Sequence, residues 1–204
     1  MPDLFGHPID RNELLSRIGD MSQVCDIRRM TFTEGARAGV EAVDVSTGSG
    51  LSFTVLPSRG LDIASASYRG VPLAWRSPVG EVSPTFYNPE GFEWLRGFFG
   101  GLLTTCGMTH ASHPCEDEGE RLGLHGRVSH LPAEDVAVAR GWHENVYRMS
   151  VSGRIREAKV FGDNLTLSRS VETTLGSRSI MVRDRIENTG FRRSPLMMLY
   201  HVNV

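Results

Sequence analysis

Residues 146–186 read VYRMSVSGRIREAKVFGDNLTLSRSVETTLGSRSIMVRDRI, and this stretch decides the fold. Apolar residues recur there at every second position in three segments, and a strand places such residues on one face. These residues are Tyr147, Met149 and Val151, then Leu165 and Leu167, then Ile180 and Val182. Polar turn residues at 162–164 and 176–177 separate the segments. The pattern predicts a meander of antiparallel strands with one polar face.

The same alternation extends toward the N-terminus. It predicts a hairpin around the turn at 47–50 and a second hairpin that joins 61–68 to 71–75 through Arg69-Gly70. A capping pattern at Asp10 predicts a short helix over 10–19, outside the sheets. Many short strands and almost no helix favour a mainly β sandwich or barrel.

Residues 77–99 interrupt this pattern. The Pro- and Gly-rich segment 77–91 predicts a loop, and an apolar helical turn follows it. We expect the apolar side chains of that turn to pack in the core. They are Phe92, Leu95, Phe98 and Phe99.

The composition is that of an ordinary globular protein. The chain has 204 residues, 40% hydrophobic and 23% charged, and we expect one domain over 1–204. The net charge of −2 and the scattered arginines argue against nucleic acid and anionic membranes as partners. No apolar segment is long enough for a membrane span or a signal peptide. An odd number of cysteines, three, fits a reducing compartment, so we predict a cytoplasmic protein without disulfides.

Two of the seven histidines stand in informative surroundings. His125 lies between glycines in Leu-Gly-Leu-His-Gly-Arg, followed by Arg127, whose guanidinium can bind hydroxyls or carboxylates. His201 shares one face of a predicted strand with Asn203. Imidazole can donate and accept protons near neutral pH. A purely structural role for either histidine is the alternative.

A second cluster of potential ligands is Cys106, His110, His113 and Cys115. Thiolate and imidazole are preferred zinc ligands, so this segment is an alternative metal site, although its spacing is irregular for a zinc finger. The competing interpretation is a polar loop at a strand end. The carboxylates all sit beside arginines or in polar strands, and we expect none with a raised pKa.

Several ordered motifs together resemble one protein family. They are PSRGLDI at 57–63, GVPLAW at 70–75, SP at 77–78, GGLLTTCG at 100–107, LHGR at 124–127 and LYHVN at 199–203. The set resembles the DUF4432 family of aldose 1-epimerase-like proteins from about Val24 onward. The resemblance implies a galactose mutarotase-like β-supersandwich, with a curved sheet that forms an open groove for a monosaccharide or sugar derivative.

The resemblance also implies roles for particular residues. His201 would be the general acid and His125 would orient hydroxyl groups during anomer interconversion, without a cofactor. Sugar-binding residues would be Arg59, Asp62, Trp75, Arg127 and Asn203. Aromatic rings suit the apolar faces of sugars, and Trp94 and Tyr87 are further candidates, with core packing as the alternative for Trp94. A carbohydrate-binding protein without turnover and a metal-dependent sugar isomerase remain the alternative functions.

Two departures from the family pattern bear on these expectations. The mutarotase general base is a glutamate far toward the C-terminus, whereas this sequence ends at Val204, directly after the histidine strand. We therefore expect an incomplete sandwich whose open sheet edges favour self-association. The segment from His110 to Cys115 is also unlike the more neutral loop that the family pattern leads us to expect.

Overall fold

The computed structural model describes residues 3–4 and 6–204, and it consists mainly of antiparallel strands. The strands are β1 (Asp3–Leu4), β2 (His7–Pro8), β3 (Asp26–Thr31), β4 (Glu41–Ser46), β5 (Leu51–Leu56), β6 (Asp62–Tyr68), β7 (Val71–Pro72), β8 (Leu103–Met108), β9 (Cys115–Asp117), β10 (Glu120–Leu122), β11 (Glu134–His143), β12 (Val146–Ala158), β13 (Asn164–Thr174), β14 (Met181–Asn188) and β15 (Met197–Val202). The prediction of a mainly β fold is confirmed.

The α-helix α1 (Arg11–Arg17) lies inside the segment predicted to be helical. The Asp10 side chain accepts a hydrogen bond from the Glu13 amide at 2.8 Å and caps the helix. The helix ends two residues before Gly19, because Ile18 is already extended. Leu14 is its buried residue and joins the main core. Short 3₁₀ turns occupy Met21–Gln23, Gly35–Arg37, Pro84–Phe86, Glu93–Gly97 and Val128–His130.

Two large sheets face one another. The larger has the strand order β15-β8-β6-β5-β4-β3, with β7 paired to β6, and the smaller has the order β11-β12-β13-β14. Strands β4 and β5 form the first predicted hairpin, and strands β6 and β7 form the second. Strands β12 to β14 form the predicted meander. Two separate hairpins pair β1 with β2 and β9 with β10.

The main core lies between these sheets. Alternate residues of both sheets contribute to it, as the spacing predicts. They include Val43, Val45, Phe53, Val55, Ile63 and Leu103 from the large sheet, and Tyr147, Met149, Val151, Ile155, Leu165, Leu167 and Val171 from the small one. Residues between these positions on the large sheet face away from the core, and that outward face carries the candidate site.

The turn at Glu93–Gly97 corrects one expectation. Trp94 is 2% exposed and Phe99 is fully buried, but Phe92 is 57% and Leu95 is 48% exposed. A 3₁₀ turn has three residues per turn, so residues three apart lie above one another on one side. That side faces outward here, and the prediction that Phe92 and Leu95 belong to the core was wrong.

Candidate functional site

Strand β15 places His201 on the outward face of the large sheet. It pairs antiparallel with β8, and His201 lies opposite Thr104. The neighbouring residue Leu103 belongs to the main core, so Thr104 and His201 both point away from that core. Tyr200 points the other way, and its hydroxyl donates to Asp184 at 2.8 Å.

The loop around His125 brings a second imidazole to the same surface. The His125 amide donates to the Ser112 carbonyl at 2.9 Å, and its carbonyl accepts from the Gly107 amide at 2.9 Å. His125 has a φ of 58°, a left-handed conformation that histidine adopts more readily than most residues. Its ring centroid lies 6.1 Å from that of His201, at an interplanar angle of 78°. We call these two residues the histidine pair.

Aromatic rings line the histidine pair. The Trp94 ring contacts His125 edge-on at 5.0 Å between centroids, and Phe98 contacts His201 at 5.5 Å. Trp94 and Phe98 stack on each other at 4.9 Å. Trp75 lies beside Phe98 at 6.0 Å and is 49% exposed, whereas Trp94 is buried. Trp75 is therefore the tryptophan with a ring available to a ligand.

His130 and Tyr87 form a buried layer behind these rings. The two rings stack at 4.2 Å, and the Tyr87 hydroxyl donates to the Gly126 carbonyl at 3.1 Å, next to His125. Burial lowers the pKa of His130 well below its ordinary value, and the charge of Arg59 lowers it further. This layer supports the loop that carries His125. The sequence alone gave no reason to select His130, because its neighbours in the chain are polar and form no recognisable pattern of partner residues.

Asn203 and Arg127 lie close to the histidine pair in the chain. The Asn203 amide nitrogen donates to the Gly101 carbonyl at 2.9 Å and to the His201 carbonyl at 3.2 Å. Asn203 thus ties the end of β15 to the start of β8 and keeps its side-chain oxygen as an acceptor. Arg127 follows Gly126 and is exposed.

Arg59 lies in the interior, away from any open surface. Its side chain is fully buried and donates to three carbonyl oxygens: Ser129 at 2.6 Å, Val82 at 2.6 Å and Gly97 at 2.8 Å. Burial lowers the pKa of its guanidinium to about 10, opposed by the charges of Asp62 and Glu81. Arg59 therefore joins separate loops, and it does not line a groove as the family resemblance implied.

Asp62 is also fully buried. Its Oδ1 accepts from the amide and hydroxyl of Thr105, at 3.0 and 2.6 Å, and from Arg169 at 3.1 Å. Burial raises the pKa of this carboxyl to about 6, although Arg169, Thr105 and Arg59 act in the opposite direction. The expectation that no carboxyl has a raised pKa was wrong. The residues around Asp62 in the sequence do not indicate that its side chain is completely buried.

Arg169 completes this buried network and was not selected from the sequence. It is fully buried in β13 and binds Asp184 through two nitrogens, at 2.8 and 2.7 Å, while a third contact reaches Asp62. The network connects the two sheets directly behind β8 and β15. An arginine at a core-facing position of an alternating strand is the sequence signal that could have identified it.

The alternative metal cluster is not assembled. Cys106 packs with Trp94 and Leu124, while Cys115 is exposed on β9. His110 is buried with its Nε2 3.0 Å from the Gly123 carbonyl, and His113 lies against the edge of Phe92. Over residues 3–4 and 6–204, no group of three or more His, Cys, Asp or Glu side chains could hold a metal ion. The metal-site hypothesis was wrong because these four side chains diverge.

Arg76 is a third residue that sequence reasoning did not select, after His130 and Arg169. Its Nη2 binds Glu81 at 2.5 Å and its Nη1 donates to the Ala64 carbonyl at 3.3 Å. The Arg76 side chain is 40% exposed, whereas that of Glu81 is 7% exposed. A buried carboxylate thus holds a partly exposed guanidinium next to Trp75.

Comparison with known proteins identifies the family. The family model for a domain of unknown function, DUF4432, matches residues 37–204. The chain belongs to the DUF4432 family. No curated protein matches the chain. The motifs that suggested this family from the sequence therefore suggested the right one.

Two solved structures resemble this member of the DUF4432 family. One is a protein from Klebsiella pneumoniae subsp. pneumoniae MGH 78578, provisionally assigned as an aldose 1-epimerase, with a TM-score of 0.82, 24% identity, and coverage of 89% of this chain and 50% of that chain. The other is galactose 1-epimerase from Lactobacillus acidophilus NCFM, with a TM-score of 0.53, 12% identity, and coverage of 87% and 52%. The DUF4432 chain thus has a galactose mutarotase-like β-sandwich fold, and it spans about half the length of each structure. Among its described residues, no helix is long and apolar enough to cross a membrane.

Proposed function

We propose that the chain binds a free aldose or a related monosaccharide at the histidine pair and promotes interconversion of its anomers. The observation that carries this proposal is the approach of His125 and His201, 6.1 Å apart, on a surface bordered by aromatic rings. The likeness in fold to an aldose 1-epimerase and a galactose 1-epimerase supports a sugar as the ligand.

Anomer exchange requires that an acid protonates the ring oxygen while the anomeric hydroxyl gives its proton to a base, for which solvent water is available at this surface. We assign the proton donor to His201. The ring opens, the aldehyde rotates, and closure then gives either anomer. The assignment places the acid on a strand that is fixed to β8 along its whole length.

His125 is suited to orienting the sugar. Its Nδ1 accepts a hydrogen bond from the Ser112 amide at 3.3 Å, so the neutral ring carries its proton on Nε2. Burial lowers the pKa of His125, and the nearby imidazoles of His201 and His113 lower it further. At neutral pH the ring is therefore uncharged and presents an N–H donor to a sugar oxygen.

Three neighbouring side chains would complete the sugar contacts. The exposed ring of Trp75 can stack on an apolar sugar face, Asn203 offers its side-chain oxygen, and Arg127 offers a guanidinium. Arg59 and Asp62 are excluded from this set because both are fully buried and bonded to protein groups.

One observation favours carbohydrate binding without turnover as a second candidate. Within the part of the chain that the structure describes, no carboxylate is hydrogen-bonded to either member of the histidine pair. A mutarotase needs a proton acceptor as well as a donor. The chain could thus hold a sugar without accelerating anomer exchange.

Exchange-resolved NMR of freshly dissolved glucose, galactose and mannose separates these candidates. The proposal predicts faster anomer exchange with the chain, and a loss of about 100-fold or more in His201→Ala. His143→Ala, on the exposed strand β11, is the matched control. If saturation transfer shows binding but anomer exchange is not faster, the chain is a carbohydrate-binding protein without turnover. If none of these sugars shows binding or faster exchange, both candidate functions are contradicted.

A further inference from the structure

The loop between β8 and β9, residues 109–114, runs alongside the segment that carries His125. The Ser112 carbonyl accepts from the His125 amide at 2.9 Å, and the Ser112 amide donates back to the His125 ring. A Cβ atom at Gly126 would lie 2.6 Å from the His110 carbonyl oxygen, so the two stretches of backbone are in direct contact there. The direction of the His125 ring therefore depends on where this loop lies.

His110 is a buried side chain of this loop. It is 7% exposed, and its Nε2 lies 3.0 Å from the Gly123 carbonyl oxygen. A carbonyl oxygen only accepts hydrogen bonds, so Nε2 of His110 carries a proton and acts as the donor. His110 and Ser112 thus bind Gly123 and His125, and these contacts hold the loop in register with the histidine segment.

Glu157 fixes the start of the loop to the other sheet. This residue of β12 is 8% exposed. Its Oε2 accepts from the Met108 amide at 3.1 Å, and its Oε1 accepts from the Thr109 hydroxyl at 2.8 Å. Since Thr109 directly precedes His110, the backbone that carries His110 is held in place by the small sheet.

The position of the loop also sets the position of the proton on His125. A neutral imidazole carries its proton on either nitrogen, and a hydrogen bond at one nitrogen selects the tautomer. Here the Ser112 amide makes that selection at 3.3 Å, although Ser112 itself is exposed. Exposed loop residues are mobile unless neighbouring contacts hold them. The buried bond from His110 to Gly123 is such a contact, two residues away.

We propose that His110 is a positioning residue for the histidine pair, which holds the loop so that His125 keeps its Nε2–H tautomer and its direction toward a sugar. The assignment rests on the proposed function of the pair and adds to it a residue that does not touch the ligand. The segment from His110 to Cys115, which departs from the family pattern, then acts through hydrogen bonds and not as a metal site.

Replacement of His110 by phenylalanine tests this role, because it removes the donor and keeps a buried ring. His125 orients the sugar in the ground state and in the transition state alike. We therefore expect KM for anomer exchange of galactose to rise about 10-fold in His110→Phe while kcat stays unchanged. His110→Gln, whose side-chain nitrogen can donate to the Gly123 carbonyl, should restore most of the lost affinity.

Thr173→Val is the matched control. Thr173 is also 7% exposed, and its hydroxyl donates to a backbone carbonyl, that of Ser179, at 2.9 Å. The control thus loses a buried bond of the same kind on β13, and KM should stay unchanged. A smaller folded fraction in either variant would lower the apparent kcat without raising KM.

The ring signals of His125 in long-range ¹H–¹⁵N NMR, recorded without sugar, test the positioning separately. The unaltered chain and His110→Gln should show the Nε2–H tautomer. His110→Phe should show signals averaged between the two neutral tautomers, because the Ser112 amide is then no longer held at Nδ1.

The outcomes separate the positioning role from the proposed function. Unchanged KM together with an unchanged His125 tautomer in His110→Phe would overturn the assignment. A fall in kcat alone would also overturn it, since His110 would then serve only stability. If the unaltered chain binds sugar without turnover, the dissociation constant takes the place of KM. If it binds none of glucose, galactose and mannose, the proposed function fails, and the tautomer in His110→Phe still decides whether His110 positions the ring.

Discussion

His125 illustrates how one residue combines backbone strain with a defined proton position. A left-handed φ costs a non-glycine residue about 1 kcal/mol, and here the flanking contacts to Ser112 and Gly107 hold it. The same turn directs Nδ1 to the Ser112 amide and leaves Nε2 for a ligand. The sequence could nominate His125 through its glycines, but it could not show which nitrogen is free.

The buried imidazole of His130 predicts a pH dependence of stability. The unfolded chain binds a proton there near the ordinary pKa of 6.5, whereas burial keeps the folded ring neutral to lower pH. The stabilising contribution of His130 to the free energy of unfolding is thus fully present above pH 6.5. Below that pH it is lost as the pH falls, by up to about 1.4 kcal/mol per pH unit.

Urea unfolding between pH 5 and pH 7 checks this prediction. The unaltered chain should lose stability more steeply below pH 6.5 than His130→Phe, with His143→Phe as the control. Asp62, whose carboxyl pKa is raised to about 6, acts in the opposite direction in every variant and cancels in the comparison. Parallel pH profiles for the unaltered chain and His130→Phe would contradict the assignment.

Among the elements, the strands were predictable and the loops were not. Strands β12 to β14 follow the alternation of apolar residues directly, because each has one face on the core. In β6 a bulge at Ala64 breaks this alternation, and the successive residues Asp62, Ile63 and Ala64 are all buried. The loop at 77–99 takes its course from tertiary bonds to Arg59, which no local pattern reveals.

Arg59→Lys should therefore destabilise the fold. A lysine keeps the charge but cannot reach three carbonyl oxygens in one plane, so buried acceptors lose their donors. We expect a loss of about 2–4 kcal/mol in the free energy of unfolding. Arg96→Lys, whose side chain is 79% exposed, should change it by less than about 0.5 kcal/mol. Similar urea midpoints for the two variants would show that Arg59 does not join the loops.

At the scale of the whole molecule, β14 is an edge strand of the small sheet and β15 is an edge strand of the large sheet. The core is open to solvent beside β15. On β15 the core-facing residues Tyr200 and Val202 are 46% and 59% exposed, whereas their partners on β8, Thr105 and Leu103, are 0% and 7% exposed. An edge strand with exposed apolar residues invites pairing with another strand. The histidine pair lies on the opposite face of this same edge.

Self-association through β15 is the expected consequence in solution. Sedimentation analysis at increasing concentration should show oligomers, and Val202→Lys should shift the population toward monomer, since a charged residue blocks edge pairing. Val160→Lys, at an exposed apolar residue outside both edges, is the control. A monodisperse monomer of the unaltered chain at high concentration would contradict this prediction.

The histidine ring signals in long-range ¹H–¹⁵N NMR test the central claim most directly. During titration with an aldose, the account predicts that the resonances of His125 and His201 shift together with one dissociation constant, while those of His143 stay in place. The Nε2–H form of His125 should be the neutral tautomer before sugar is added. Sugar binding that leaves both His125 and His201 unshifted would contradict the account, because the ligand would then lie away from the histidine pair.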